Sequence, residues 1–386
     1  MKKALMTQFP CARGRAFVCK NIGDYVQSVA ARQYCQPYDT IIEQEEADQF
    51  FPEDKCPVRL IMNGWFQWRA ENWPPSEFVY PLFISMHISP LREQQLLQPK
   101  GVDYLKKFSP IGCRDHYTKN LLEGKGINAY FSGCLTLTLG KDYHINTEKE
   151  REGIYFVDPY FDIPELIYQA NGKKKINWPV LIKVFFYSVL NWRTVFLLGK
   201  KSFFKDYSPQ GFLDRDHRWY RPFYKAAVFL KTYSQKFSRK LLKSANYITH
   251  WMDVDMSGAV TTNDLLDTAE KLVKKYASAK LIITSRIHAG LPGLGLDTPV
   301  IFIANEEVVS ENGNFNTPGR LGGLLELFRI LNLTHGKFST DDEVLSKYPK
   351  ITEKTQFPNK QTWKPYADQL DKKCTEFMKD DFAPEK

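Results

Sequence analysis

The sequence contains no Cys-x-x-Cys pair and no Cys/His spacing of the zinc type. Its seven cysteines, at 11, 19, 35, 56, 113, 134 and 374, are odd in number and widely scattered. A disulfide framework and a structural zinc are thereby excluded, and the pattern predicts reduced intracellular thiols. No carboxylate cluster with octahedral spacing occurs, so no metal and no cofactor are expected. After Met1-Lys2-Lys3 only three apolar residues precede Thr7 and Gln8, too few for a secretory signal, and export is not expected. No charge-free run reaches membrane-spanning length. The nearest, Trp178 to Leu198, is 21 residues, but Lys183, Asn191 and Arg193 interrupt it, which favours lying in an interface over spanning.

Acid is scarce in one segment. Lys173 to Lys243 holds 17 Lys/Arg against Asp206, Asp214 and Asp216, a charge of +14 in a chain of net +9, which leaves −5 for the remainder. Within it Phe223, Ala227, Leu230, Tyr233, Phe237 and Leu241 recur at helical spacing, with Lys225, Lys236, Arg239, Lys240 and Lys243 on other faces. Two readings fit: a basic amphipathic helix on an anionic membrane, or an aromatic face packed on the protein with solvated lysines. The stretch carries no nucleic-acid motif, so no nucleic-acid partner is expected.

What is present is a folded α/β chain. Hydrophobic content of 43% and aromatic content of 14% exclude disorder, and 386 residues suit two domains. Lys280 to Thr284 and Thr298 to Ile303 are β-branched apolar runs that read as buried parallel strands, with a short helix from Ala289 to Leu296 between them. Arg286 and His288 fall at the carboxyl end of the first strand, where open α/β sheets bind ligands. A fixed cation, an imidazole and a helix N-terminus then share one anion-sized space. An ion pair and a buried histidine would read the same way. Similar strand ends carry Asn21, Gly23 and Asp24 before a helix from Tyr25 to Tyr34, Asn63 and Trp65 after a strand from Val58 to Met62, His87 after Pro81, Arg114 and Asp115 after Ile111 to Cys113, His250 after Asn246 to Thr249, and Glu306 after Ile303. Trp65, Trp68 and Trp73 in a Pro-rich loop suit stacking on sugars or packing as a lid. Thr262 and Asn263 read as caps of a helix striped by Leu265, Leu266, Ala269, Leu272, Val273 and Tyr276, and Trp363 to Met378 reads as a terminal helix.

The ordered set NIGDYVQSVAARQY, NGWF with WPP, PLFISMHIS, PIGCRDHYT, SGCLTLTL and ITSRIHAGLPGLGLDTPVIFI resembles the polysaccharide pyruvyl transferase family. Lys20 stands where many members have Gly, and Ser132-Gly133-Cys134 where many have Asp-Pro. The resemblance implies two Rossmann-like domains facing across a cleft, as in GT-B glycosyltransferases: residues 1–145 on the acceptor side, 146–340 on the donor side with a helical basic/aromatic insertion at 173–245, and a tail and helix at 341–386. It further implies phosphoenolpyruvate as donor and a sugar hydroxyl pair as acceptor. The basic segment 173–245 is expected to make peripheral membrane contact, which places the acceptor in a lipid-linked repeat at the inner face of the plasma membrane. On that basis Arg286, Ser285, His288, Gly290, Asn21 and Gly23 are expected at the donor. Asn63, Trp65, His87, Arg114, Asp115, His250 and Glu306 are expected at the acceptor, and His288, Arg286 and Asp24 are the catalytic candidates. A nucleotide-sugar glycosyltransferase is the alternative, since the inferred fold would serve both.

Overall fold

The computed structural model describes residues 1–8, 17–145, 151–170, 173–209, 213–214, 216, 218–255, 260–305 and 321–379. In chain order the first half comprises β1 (Lys2–Thr7), β2 (Phe17–Asn21), α1 (Ile22–Cys35), β3 (Thr40–Glu43), β4 (Val58–Phe66), β5 (Val79–Ile88), α2 (Pro99–Lys107), β6 (Ile111–Cys113), α3 (His116–Glu123) and β7 (Ala129–Phe131). Six of these strands form one sheet in the order β3-β1-β4-β5-β6-β7, and every pair is parallel. The strands are apolar on both faces because helices cover both. The order reverses between β1 and β4, so the crevice at their carboxyl ends, Thr7 and Asn63 to Phe66, is the topological switch point.

Two sequence expectations change here. β4 does not end at Asn63: it runs on through Phe66 with an irregularity between Met62 and Gly64, because β5 is as long and pairs Gly64 with Met86 and Trp65 with His87. β2 leaves its own half altogether. It pairs antiparallel with a strand of the second half, placing Asn21 opposite Trp251.

The second half comprises β8 (Ile154–Val157), β9 (Ile167–Ala170), β10 (Lys173–Ile176), α4 (Trp178–Leu190), α5 (Trp192–Gly199), α6 (Arg221–Tyr233), α7 (Arg239–Ser244), β11 (Asn246–Ile248), β12 (Trp251–Asp255), α8 (Thr262–Ser278), β13 (Leu281–Thr284), α9 (Ile287–Gly295), β14 (Val300–Asn305), β15 (Arg329–Thr334), β16 (Lys337–Ser339) and α10 (Lys364–Met378). Its sheet runs β11-β8-β13-β14-β15-β16, parallel except for β16. α8 buries the predicted stripe, but its cap is Thr261, one residue earlier than expected, in a reciprocal capping box with Asp264.

The basic amphipathic helix predicted from Phe223 to Leu241 is corrected in two respects. α6 stops at Tyr233 and α7 restarts at Arg239. Its aromatic face is also occupied: Phe229, Tyr233 and Phe237 pack on Phe156 of β8 with ring centroids 5.6, 5.7 and 5.6 Å away. Lys225 is fully buried, donates to the Lys205 and Tyr207 carbonyls and lies 2.8 Å from Asp214. Large aromatic burial of this kind is worth about 1.5–3 kcal/mol per side chain, so this face belongs to the core.

One apolar cluster joins the halves. Val26 of α1, Ile61 of β4, Leu265 of α8, Ile282 of β13, Leu291 of α9 and Leu370 of α10 all belong to it. Arg32 of α1 reinforces the joint with an ion pair to Glu270 of α8 at 2.5 Å. α10 returns to the first sheet, where Arg59 donates to the Phe377 carbonyl at 3.0 Å and Tyr80 stacks on the Phe377 ring.

Candidate active site

The start of α1 is built as a unit. Asn21 caps the helix, its Oδ1 accepting from the Gly23 N–H at 3.1 Å, while its Nδ2 donates to Asp24 Oδ1 at 3.3 Å. The β2–β12 ladder then delivers this turn to the second half, with the Ile22 N–H on the His250 carbonyl at 2.9 Å. Gly23 is required by closeness: a β-carbon there would stand 2.7 Å from His250 Nδ1 and 2.9 Å from His288 Cβ. Asp24 Oδ1 lies 3.3 Å from His288 Nδ1. A carboxylate at Nδ1 favours the tautomer protonated there, which turns Nε2 into the nitrogen that can take a proton.

Arg286 enters from β13 as the residue before α9. Its Nε is 3.5 Å from Asp158 Oδ2, and its guanidinium lies over the Trp251 ring at 5.4 Å. The Arg286 side chain retains 29% exposure, so it is reachable from outside while Asp158 holds its Nε. Asp158 is itself buried and accepts from the His250 N–H at 2.9 Å. His250 Nε2 meets Tyr276 Oη at 2.6 Å, and its Nδ1 has no hydrogen-bond partner among the described residues. Burial first, and then the charges of Arg286 and His288, push the His250 pKa well below its ordinary value, so this imidazole is neutral. His250 therefore joins the Arg286 cluster instead of the acceptor group expected for it.

Two other expected donor residues have structural occupations. The Ser285 hydroxyl accepts from the Tyr160 N–H at 2.8 Å and donates to the Ile303 carbonyl at 2.7 Å, tying the ends of β13 and β14. Gly290 sits where a β-carbon would be 2.8 Å from the Phe328 ring, so it permits helix-to-core packing. Glu306 lies outside the described residues.

The first-half candidates form a second cluster at the carboxyl ends of β5 and β6. His87 Nδ1 contacts Asp115 Oδ2 at 2.6 Å, and Asp115 caps α3 through the Thr118 N–H at 2.8 Å. Burial would raise the Asp115 pKa, but His87, Arg114 and the Thr118 N–H outweigh it, so the group stays ionised. Arg114 is fully buried, and none of its three guanidinium nitrogens has a hydrogen-bond partner among the described residues. An unpaired buried guanidinium is costly unless a ligand answers it.

Polar groups of α1 and β4 also meet. Asn63 donates to the Gln27 carbonyl at 3.1 Å, and a β-carbon at Gly64 would be 3.1 Å from Gln8 Nε2 and 3.4 Å from Gln27 Oε1. Gln8 Nε2, both Gln27 amide atoms and Asn63 Oδ1 are buried without partners among the described residues. Trp65 is half-buried against Trp68, with ring centroids 4.5 Å apart. Trp73 packs on Phe66, Phe83 and Tyr104, which is the lid-packing alternative.

Gln8, Gln27, Asp158, Trp251 and Tyr276 were not among the sequence candidates. Gln27 had a signal, a polar residue between Val26 and Val29 on a buried face. Asp158 ends the apolar run of β8 in the same way that Arg286 follows β13.

No curated protein matches the chain. The family model for polysaccharide pyruvyl transferase matches residues 21–307, beginning on the capping Asn21 and spanning Asp24, Asp158, His250, Arg286 and His288; the chain is a transferase of the polysaccharide pyruvyl transferase family.

Proposed function

We propose that the protein transfers the pyruvyl group of phosphoenolpyruvate to two hydroxyls of one sugar, forming a pyruvate ketal and releasing inorganic phosphate. The observation that carries this reading is the junction of Arg286, His288 and Asp24 at the N-terminus of α9. The donor brings a carboxylate and a phosphate. Arg286 holds one of these anions through the edge of its guanidinium that faces away from Asp158. The chemistry runs by protonation of the donor's methylene carbon, attack of one sugar hydroxyl on the neighbouring carbon, loss of phosphate and attack of the second hydroxyl. The methylene gains one proton, each hydroxyl loses one, and phosphate leaves with the donor's bridging oxygen. His288, oriented by Asp24, is the group that takes and returns protons. Neutral His250 and the Tyr276 hydroxyl behind it hold that geometry in a dry setting.

The acceptor is read as a sugar of a lipid-linked polysaccharide repeat at the inner membrane face. Gln8 Nε2, both Gln27 amide atoms and Asn63 Oδ1, buried without partners among the described residues, support it as hydroxyl-binding groups, and Trp65 as a stacking face. A GT-B-like arrangement of two facing halves is part of the same proposal. It is supported by one largely parallel six-stranded sheet in each half, with β2 of the first half paired to β12 of the second. The test is ligand-induced stabilisation: phosphoenolpyruvate raises the melting temperature of the native protein and not of Arg286→Ala. Stabilisation by nucleotide sugars and none by phosphoenolpyruvate would instead support the glycosyltransferase alternative.

A further inference from the structure

We propose that α4, with α5 and the β9–β10 hairpin beside it, is a docking surface for an anionic lipid bilayer. α4 is apolar on two sides. Val180, Val184 and Tyr187 lean on the core of the second half, whereas Ile182, Phe185, Phe186 and Val189, also at helical spacing, face outward with 50%, 60%, 61% and 52% exposure. A helix apolar all round is at home inside a protein or against lipid, and no residue of α4 is buried. Leu190 and Trp192 at the bend extend the patch, with 82% and 61% exposure. Of the 18 large hydrophobic side chains exposed among the described residues, 12 lie between Ile167 and Leu197, so apolar exposure is concentrated in this segment.

The geometry suits insertion in the plane of the interface. The 13 residues of α4 rise about 20 Å, short of the roughly 30 Å hydrocarbon core. α5 departs at 101°, and no single helix among the described residues is long and apolar enough to cross a membrane. α5 is the strut: Val195 and Leu198 are buried, and Phe196 stacks on Phe223 of α6 with centroids 5.8 Å apart.

Charge decides the occupant. No Asp or Glu occurs between Glu165 and Asp206, while Lys173, Lys174, Lys175, Lys183 and Arg193 are exposed around the patch. Such a rim meets lipid phosphates, with Trp178 and Trp192 at headgroup level. A twofold pairing with a second copy would set like charges against each other. This surface lies outside the Arg286 cluster and does not depend on the reading of that cluster.

The experiment is co-sedimentation of the full chain with phosphatidylglycerol/phosphatidylcholine vesicles and with phosphatidylcholine vesicles alone, at low and high salt. The chain is expected to bind the anionic vesicles, and less so as salt rises. Phe186→Asp with Leu190→Asp, and separately Lys173→Glu with Lys174→Glu and Lys175→Glu, should each lower partitioning by about 10-fold or more with unchanged thermal unfolding. A chain that stays in the supernatant, variants that bind as well as the native protein, or a dimer dissociated by the Phe186 and Leu190 changes would overturn the proposal.

Discussion

Gly23 stands where a β-carbon would press on His250 Nδ1 at 2.7 Å and His288 Cβ at 2.9 Å, and both neighbours are held by partners of their own. Gly23→Ala must therefore displace the His288–Asp24 pair or lift α1 from β12. We expect a stability loss of about 1–3 kcal/mol by urea unfolding, and a fall in transfer of about 100-fold, the scale of a 1 Å misplacement. Arg114 is buried with no hydrogen-bond partner among the described residues, and its charge helps to keep Asp115 ionised. Arg114→Met should lower kcat/KM for the acceptor, and an unchanged value would contradict the assignment of that guanidinium to a ligand. His250 sets a pH dependence. Its folded pKa lies below the ordinary 6.5, so as pH falls through about 6.5 the unfolded chain takes up a proton that the folded protein refuses. Stability present above that value is then lost on acidification. In His250→Gln the loss between about pH 7 and 5 should shrink, measured as the slope of urea midpoint against pH.

At the scale of elements, β13–α9–β14 was legible because β-branched apolar runs bracket a short Leu/Gly-rich helix, and that pattern admits one arrangement. The β2–β12 ladder was not legible. It joins short strands about 230 residues apart in sequence, and no local periodicity encodes which partner a strand will find. The break between α6 and α7 was hidden because Phe237 and Leu241 continue the helical spacing across it, and Ser238 restarts the helix as a cap. Among candidate site residues, Arg286 with His288, and Asn21 with Gly23 and Asp24, each sit together in sequence and could be read as strand-end groups. Asp158 and Tyr276 act through tertiary contacts with His250 and Arg286 that only the fold brings together. α10 offers an element-scale prediction: Phe377, buried against Tyr80, should cost about 3 kcal/mol on replacement by Ala, read as a lower urea midpoint with unchanged slope.

For the whole molecule, charge and core divide the labour. The +14 segment is not one basic surface: α6 and α7 turn their aromatic face into the second core and bury Lys225, while α4 and β10 leave apolar side chains and lysines outside. The Arg286 cluster is assembled from both halves, since Asn21 and Asp24 arrive at the start of α1 and Asp158, His250 and His288 arrive from the second half. The proposed transfer would therefore depend on the joint between them. The most direct test is incubation of the native protein with labelled phosphoenolpyruvate and a panel of lipid-linked sugars, followed by mass spectrometry. The expected product is the sugar carrying the label with a mass gain of pyruvic acid less water, with matching phosphate release, and neither in Arg286→Ala or His288→Ala. Full product formation by either variant, or label left entirely in phosphoenolpyruvate with every acceptor, would contradict the account.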